Sequence, residues 1–243
     1  MKTAYQTDIG KQRSQNQDRV RVFRSNNQLL AVVTDGIGGN RSGDVAATVA
    51  INQLGQDFMV AAPLTADHVK TWFQKSVLAA NSIILKKSKE NQAYRGMGTT
   101  LVAALFLNQH QVVVANIGDS RGYIFHDNML TQITVDHSLV NELVKNGDLS
   151  EDAARTSPKN NIITRAIGIS HDARVDVNLF PLGNNDQVLL CSDGLSKMVS
   201  NQQIRNILAS ESSSLKEKCQ QLVNLANEAG GPDNVTVLIS QNN

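Results

Sequence analysis

Short apolar runs, each closed off by turn residues, recur along the chain at 29–34, 100–107, 112–117, 122–125, 188–191 and 235–240. Their length and their content of Val, Ile, Leu and Thr predict buried strands. Three other stretches carry apolar residues at helical spacing. Val45, Ala46, Val49, Ala50 and Leu54 follow Ser42, a candidate N-cap. Val69, Trp72, Phe73, Val77, Ala80 and Ile84 form a longer stripe. Leu215, Cys219, Leu222, Val223 and Ala226 form a third, stopped by Gly230-Gly231-Pro232. Ser200 and Gln203 have the spacing of a capping box, which predicts a shorter helix from Ser200.

The order of these elements is informative. Two strands are expected before two consecutive helices, several strands then follow in succession, and a last strand comes after the final helix. Strands joined by turns of a few residues pair antiparallel, so the pattern predicts an α+β fold, sheet layers covered by helices, rather than a doubly wound parallel sheet. The polar segment 139–176, with a helical patch at Leu139, Leu143 and Val144 and a break at Ser157-Pro158, reads as an excursion from the core. Neither an internal repeat nor a linker interrupts the sequence, so a single domain spanning 1–243 is expected.

Composition narrows the function by exclusion. The 243 residues include 23 Lys and Arg against 22 Asp and Glu, for a formal charge of +1. A phosphate-tracking surface needs a basic excess, and base stacking needs more aromatics than 4%. A nucleic-acid partner is therefore not expected. Two cysteines, Cys191 and Cys219, are too few for a disulfide scaffold and predict reduced thiols. The N-terminus has no apolar signal core and no run is long enough to span a bilayer. The expectation is a soluble cytoplasmic protein.

Four aspartates hold a telling position. Asp35, Asp119 and Asp193 each follow a strand-like run, and Asp233 sits just before the last one. Alone, each would be an ordinary turn residue. If strand ends of the sheets converge, four carboxylates together would repel one another and resist ionisation, a cost that bound cations remove. All-oxygen donors favour Mg²⁺ or Mn²⁺ over zinc, and His68, His110, His126, His137 and His171 lack zinc-ligand spacing. The glycines of Asp35-Gly-Ile-Gly-Gly39 would let a backbone carbonyl approach a metal closely.

Two other motifs fail on context. Gly36-Ile37-Gly38 suggests a dinucleotide loop, but Arg41 stands where the third glycine belongs. Gly118-Asp-Ser-Arg-Gly122 fits a nucleophile elbow, yet the following residues read as strand, turn and strand instead of helix, and no histidine follows His171.

Taken in order, the motifs resemble the metal-dependent serine/threonine protein phosphatases of the protein phosphatase 2C-like family, in its bacterial form. The matching residues run nearly end to end: Thr7-Asp-Ile-Gly-Lys-Gln-Arg-Ser-Gln-Asn-Gln-Asp18, Asp35-Gly-Ile-Gly-Gly39, Gly98-Thr-Thr100, Asn116-Ile-Gly-Asp-Ser-Arg121, Asp136-His-Ser138, Asn161-Ile-Ile-Thr-Arg-Ala-Ile-Gly168, Ser192-Asp-Gly-Leu195 and Gly231-Pro-Asp-Asn-Val-Thr236. The resemblance implies a four-layer α-β-β-α sandwich with a flap at about 139–176. It implies that Asp35 bridges two Mn²⁺ or Mg²⁺ ions, that the Gly36 carbonyl, Asp193 and Asp233 complete their ligands, and that Asp119 with Asp193 holds a third, weaker ion. Asp18 would orient metal-held water and Arg13 would grip the substrate phosphate. Together with Arg13, Asp35 and Asp193 are the catalytic residues it implies.

The activity so implied is hydrolysis of phosphoserine and phosphothreonine in proteins by direct attack of a metal-bridging water. The enzyme would be a monomer opposing a bacterial Ser/Thr kinase. The alternative is a silent phosphoprotein-binding domain of the same fold. Three positions depart from the family pattern: Ile37 replaces the histidine of eukaryotic relatives, Gln17 replaces a frequent glutamate, and Ser157-Pro158-Lys-Asn160 stands where many relatives have His-Pro-x-Arg.

Overall fold

The structure, a computed structural model, describes residues 1–38, 42–150, 153, 157 and 159–242. Along the chain run strands β1 (Lys2–Asp8), β2 (Arg19–Ser25), β3 (Gln28–Thr34) and the short β4 (Gly36–Ile37), then helices α1 (Gly43–Ala61) and α2 (Ala66–Glu90). β5 (Gly98–Thr99), β6 (Leu101–Asn108), β7 (Gln111–Ile117), β8 (Arg121–His126) and β9 (Met129–Gln132) follow. After α3 (Leu139–Lys145) come β10 (Asp176–Pro181), β11 (Gln187–Cys191), α4 (Asp193–Ser196), α5 (Asn201–Ala209), α6 (Leu215–Glu228) and β12 (Val235–Gln241).

Two five-stranded antiparallel sheets form, ordered β1-β12-β11-β8-β9 and β10-β7-β6-β3-β2, and β4 pairs with β5 in a small ribbon. The period-two alternation of the central strands explains the layering. On β3, Leu30 and Val32 face α1 and α2, joining Phe58, Phe73 and Ile84 in one core, while Leu29, Ala31 and Val33 face the other sheet. On β11, Val188 and Leu190 enter the same inter-sheet core, whereas Leu189 and Cys191 turn toward Ile204, Leu222 and Val223 of the second helical layer. Three apolar cores thus separate four layers, as expected.

Every apolar run read as a strand is one. Four strands precede the helices where two are expected, and of the strands missing from that reading β1, β2 and β10 lie at sheet edges and are nowhere fully buried along their length, while β4 and β5 are only two residues each. An edge strand facing solvent needs no continuous apolar run, so none is there to read. The helices also match, with one correction. Ser42 occupies the N-cap of α1, but its side chain makes no capping bond there; its hydroxyl donates to the Gly38 carbonyl at 3.2 Å. At Ser200 the capping box with Gln203 is formed, and Ser214 with Glu217 makes a second, at the start of α6. The segment after β9 carries α3 and returns to the sheets through isolated bridges Ser138–Ile163 and Thr99–Ile167. Gly39, Arg41 and Pro158 fall outside the described residues. Among the described residues no helix is long and apolar enough to cross a membrane.

Candidate metal centre and active site

Asp35 leaves the end of β3, and its backbone is clamped by the Gly98-Thr-Thr100 segment. The Asp35 N–H donates to Thr100 Oγ1 (3.1 Å), while the Thr100 N–H and the Thr99 hydroxyl both donate to the Asp35 carbonyl (2.9 Å each). Thr100 Oγ1 also lies 2.7 Å from Ser120 Oγ, which links the Asp35 loop to the Asp119 loop. That loop is fixed from its other side by His137. The Gly118 N–H donates to His137 Nδ1 (3.1 Å), so the ring proton sits on Nε2, which faces Asp176 Oδ2 at 3.1 Å. Burial holds His137 below its ordinary pKa, consistent with a neutral ring.

Asp193 begins α4 directly after Ser192. The Ser192 hydroxyl donates to Asp18 Oδ2 (2.7 Å) and accepts the Thr236 N–H (2.9 Å), joining the strand ends that carry Asp18, Asp193 and Asp233. The backbones there nearly touch. A Cβ on Gly194 would stand 2.0 Å from the Asn234 carbonyl oxygen, and one on Gly36 would stand 2.3 Å from Gly43. Only glycine allows these approaches. Asn234 completes the frame. Its Oδ1 accepts the Gln17 N–H (2.7 Å), and its amide donates to the Ile9 and Gln15 carbonyls (2.9 Å each), pinning the segment that carries Arg13.

The electrostatics report the convergence directly. The Asp35 carboxyl is pushed well above its usual range, first by burial and then by repulsion from Asp18, Asp193, Asp119 and Asp233. Burial likewise raises Asp18 to about 7 and Asp119 to about 6, with Asp193 adding repulsion to both. Five carboxylates from distant parts of the sequence therefore share one field. Buried oxygens Asp18 Oδ1, Asp119 Oδ1 and Asp193 Oδ1 have no hydrogen-bond partner. Oxygens that are buried, negative and unpartnered call for a cation. No group of three or more His, Cys, Asp or Glu side chains among the described residues forms a ready-made cage. Two protein cations stand between the carboxylates instead. Arg13 Nη2 pairs with Asp233 Oδ2 at 2.7 Å, and Lys197 Nζ bridges Asp119 and Asp193.

The chain matches the family model described as protein phosphatase 2C over residues 10–234. The chain belongs to the protein phosphatase 2C family. Serine/threonine phosphatase stp of Listeria monocytogenes is 42% identical over 241 residues, covering 98% of this chain and 95% of that protein. The solved serine/threonine phosphatase of S. agalactiae superposes with a TM-score of 0.93 at 36% identity, covering 98% of each chain. The catalytic domain of the phosphatase PstP, solved with two manganese ions, superposes with a TM-score of 0.84 at 33% identity, covering 98% of this chain and 96% of that one. As a protein phosphatase 2C with full-length serine/threonine phosphatase relatives, this chain is a metal-dependent serine/threonine protein phosphatase.

Within the protein phosphatase 2C frame the other motifs find structural work. Ser120 is buried against Thr100 and a strand follows it, so the elbow-like sequence is not a nucleophile. Burial pushes the thiols of Cys191 and Cys219 up to about 12, which makes both inert core residues. Arg121 holds Asp136 through Nε and Nη2 at 2.7–3.0 Å and braces the Asp136-His-Ser138 turn. Lys197, Ser192 and Asn234 had no assigned role in the sequence. For Asn234 a signal existed, an amide side chain directly after a candidate ligand, but its partners lie 217 to 225 positions away. A groove of about 810 Å³ opens beside Asp119 and Lys197, with Asn141 and Lys145 of α3 along one wall.

Proposed function

We propose that this phosphatase hydrolyses phosphoserine and phosphothreonine side chains at the five-carboxylate cluster. The observation that carries this reading is the set of unpartnered buried oxygens on Asp18, Asp119 and Asp193 around a raised Asp35. That donor set, all oxygen and without histidine, fits hard divalent cations, with Mn²⁺ the first candidate by likeness to PstP. Asp35, the Gly36 carbonyl, Asp193 and Asp233 would hold two ions, and Asp119 stands beside them, bridged to Asp193 by Lys197. Bound there, the ions supply a water of lowered pKa and offset charge on the phosphoryl oxygens.

The protein's own residues do the rest. Arg13 is about half exposed, and its planar fork would leave Asp233 to grip two phosphate oxygens. Asp18, held by Ser192, would orient the attacking water in line with the Ser or Thr oxygen that departs. The P–O bond to that oxygen breaks as the water oxygen bonds to phosphorus, the water gives up one proton and the departing oxygen takes one up from solvent, and the products are inorganic phosphate and a free hydroxyl. The segment 139–176 would act as a flap over bound substrate. The reading places the enzyme as a cytoplasmic monomer, signalling in opposition to a Ser/Thr kinase. A silent binding domain is not favoured, since it would have no chemical use for the full carboxylate set.

The decisive experiment is hydrolysis of a phosphothreonine peptide by the chelator-stripped chain with and without Mn²⁺. Turnover should depend on the metal and vanish in Asp193→Asn, while Arg13→Ala should raise KM more than it weakens metal binding. A metal-replete wild type no faster than Asp193→Asn would defeat the proposal.

A further inference from the structure

We propose that Lys197 is a resident cation for the Asp119–Asp193 pair, a positioning residue that takes the place of a third divalent ion and ties the carboxylates to Asn161. Lys197 directly follows α4, four residues after Asp193, and its backbone N–H donates to the Asp193 carbonyl at 2.9 Å. Its ammonium lies 2.5 Å from Asp193 Oδ2, 3.1 Å from Asp119 Oδ2 and 2.9 Å from Asn161 Oδ1. An ammonium has three N–H donors and no acceptor. All three are therefore spent, two of them on carboxylates.

Each atom of this arrangement has a reason. Asp119 and Asp193 repel one another in a buried setting, and Lys197 is the positive group that offsets that repulsion at Asp119. The same two carboxylates are the counter-ions that offset the cost of holding the Lys197 ammonium in this largely covered position. A divalent ion could reach both Oδ2 atoms only by displacing the ammonium and giving up its bond to Asn161. Asn161 precedes Ile162, whose carbonyl accepts the Leu139 N–H at 2.9 Å, so the tether also ties the start of the 139–176 segment and its 161–162 stretch to the carboxylate cluster. The Oδ1 atoms of Asp119 and Asp193 stay unpartnered, and the Lys197 ammonium bonds to Asp119, Asn161 and Asp193, not to Asp35 or Asp233. The inference rests on the two-ion reading of the centre, and predicts that two is where occupancy stops.

The test is a Mn²⁺ titration of the full, chelator-stripped chain, read by calorimetry and by the electron paramagnetic resonance signal of free Mn²⁺. Wild type and Lys197→Arg should each bind two ions. Lys197→Gln and Lys197→Ala should bind a third, more weakly, and adding Asp119→Asn to Lys197→Gln should remove it again. Melting curves that stay cooperative establish that each variant is folded. A third ion in wild type, or two ions in all the Lys197 variants, overturns the role of Lys197 while leaving the two-ion centre standing. A wild type that binds no Mn²⁺ overturns the two-ion centre and the role of Lys197 with it.

Discussion

Replacing Asn234 by alanine removes one side chain and disconnects a whole segment. Asn234 is 5% exposed and makes three side-chain hydrogen bonds, from the Gln17 N–H and to the carbonyls of Ile9 and Gln15. Each such bond contributes roughly 1 kcal/mol net, and a buried backbone group left without a partner costs about 1–3 kcal/mol. Allowing water to reach part of the opened site, Asn234→Ala should lose about 3–5 kcal/mol, a large share of the roughly 5–15 kcal/mol available to a domain. Urea unfolding in the presence of chelator measures this without a metal contribution. Asn234→Asp sharpens the test. Its carboxylate still accepts the Gln17 N–H but faces the Ile9 and Gln15 carbonyls with no proton to give, beside Asp233. It should be at least as unstable as Asn234→Ala. In both variants the segment bearing Arg13 loosens, so KM for a phosphopeptide should rise. A loss below about 1 kcal/mol in Asn234→Ala, or near wild-type stability in Asn234→Asp, would refute the reasoning.

Three further outcomes are expected. Gly194→Ala would place a methyl 2.0 Å from the Asn234 carbonyl oxygen, so the strand ends bearing Asp193 and Asp233 must part; stability should fall by about 1–3 kcal/mol, with Mn²⁺ affinity and turnover falling by more than stability alone explains, as titration and rate assays would show. In metal-free protein, Asp18 and Asp119 are raised to about 7 and about 6 from 3.8, so their contribution is complete below about pH 4 and is lost as pH rises through those values. Urea midpoints with chelator should therefore be higher near pH 5.5 than near pH 8, with Mn²⁺ restoring stability at the higher pH. His126 is raised by its 2.6 Å bond to Asp186 and then by the fields of Asp186 and Asp127. That stabilisation is complete below the ordinary histidine pKa of about 6.5 and is lost above the raised one, so His126→Gln should lower the melting temperature more at pH 5.5 than at pH 8.5.

The sequence disclosed the centre of the fold better than its margins. Strands such as β3 and β12 are buried on both faces and had to be continuously apolar. The edge strand β1 alternates exposed and half-buried positions, and its pairing with β12 depends on residues more than two hundred positions away. The same distinction governs the site. Asp35, Asp119, Asp193 and Asp233 were legible because each caps an apolar run, and a carboxylate at the end of a buried strand stands out. Asp18 follows no such run and emerged only through family resemblance. The contacts that arrange these groups were not legible at all. Lys197 meets Asp119 across 78 positions, and Ser192 meets Asp18 across 174, so no local pattern encodes them.

The placement of β12 between β1 and β11 also sets the timing of the enzyme's birth. Residues 2–8 leave the ribosome early but have no neighbour in their sheet until residues 235–241 emerge to pair with them. Asp18 waits on the same event, because the Ser192 hydroxyl that holds it is oriented by the Thr236 N–H. A nascent chain halted before that strand would own all five carboxylates and still lack a centre. Assembly of the centre therefore waits on residues 235–241, and a chain terminated before them has the carboxylates without the frame that gathers them.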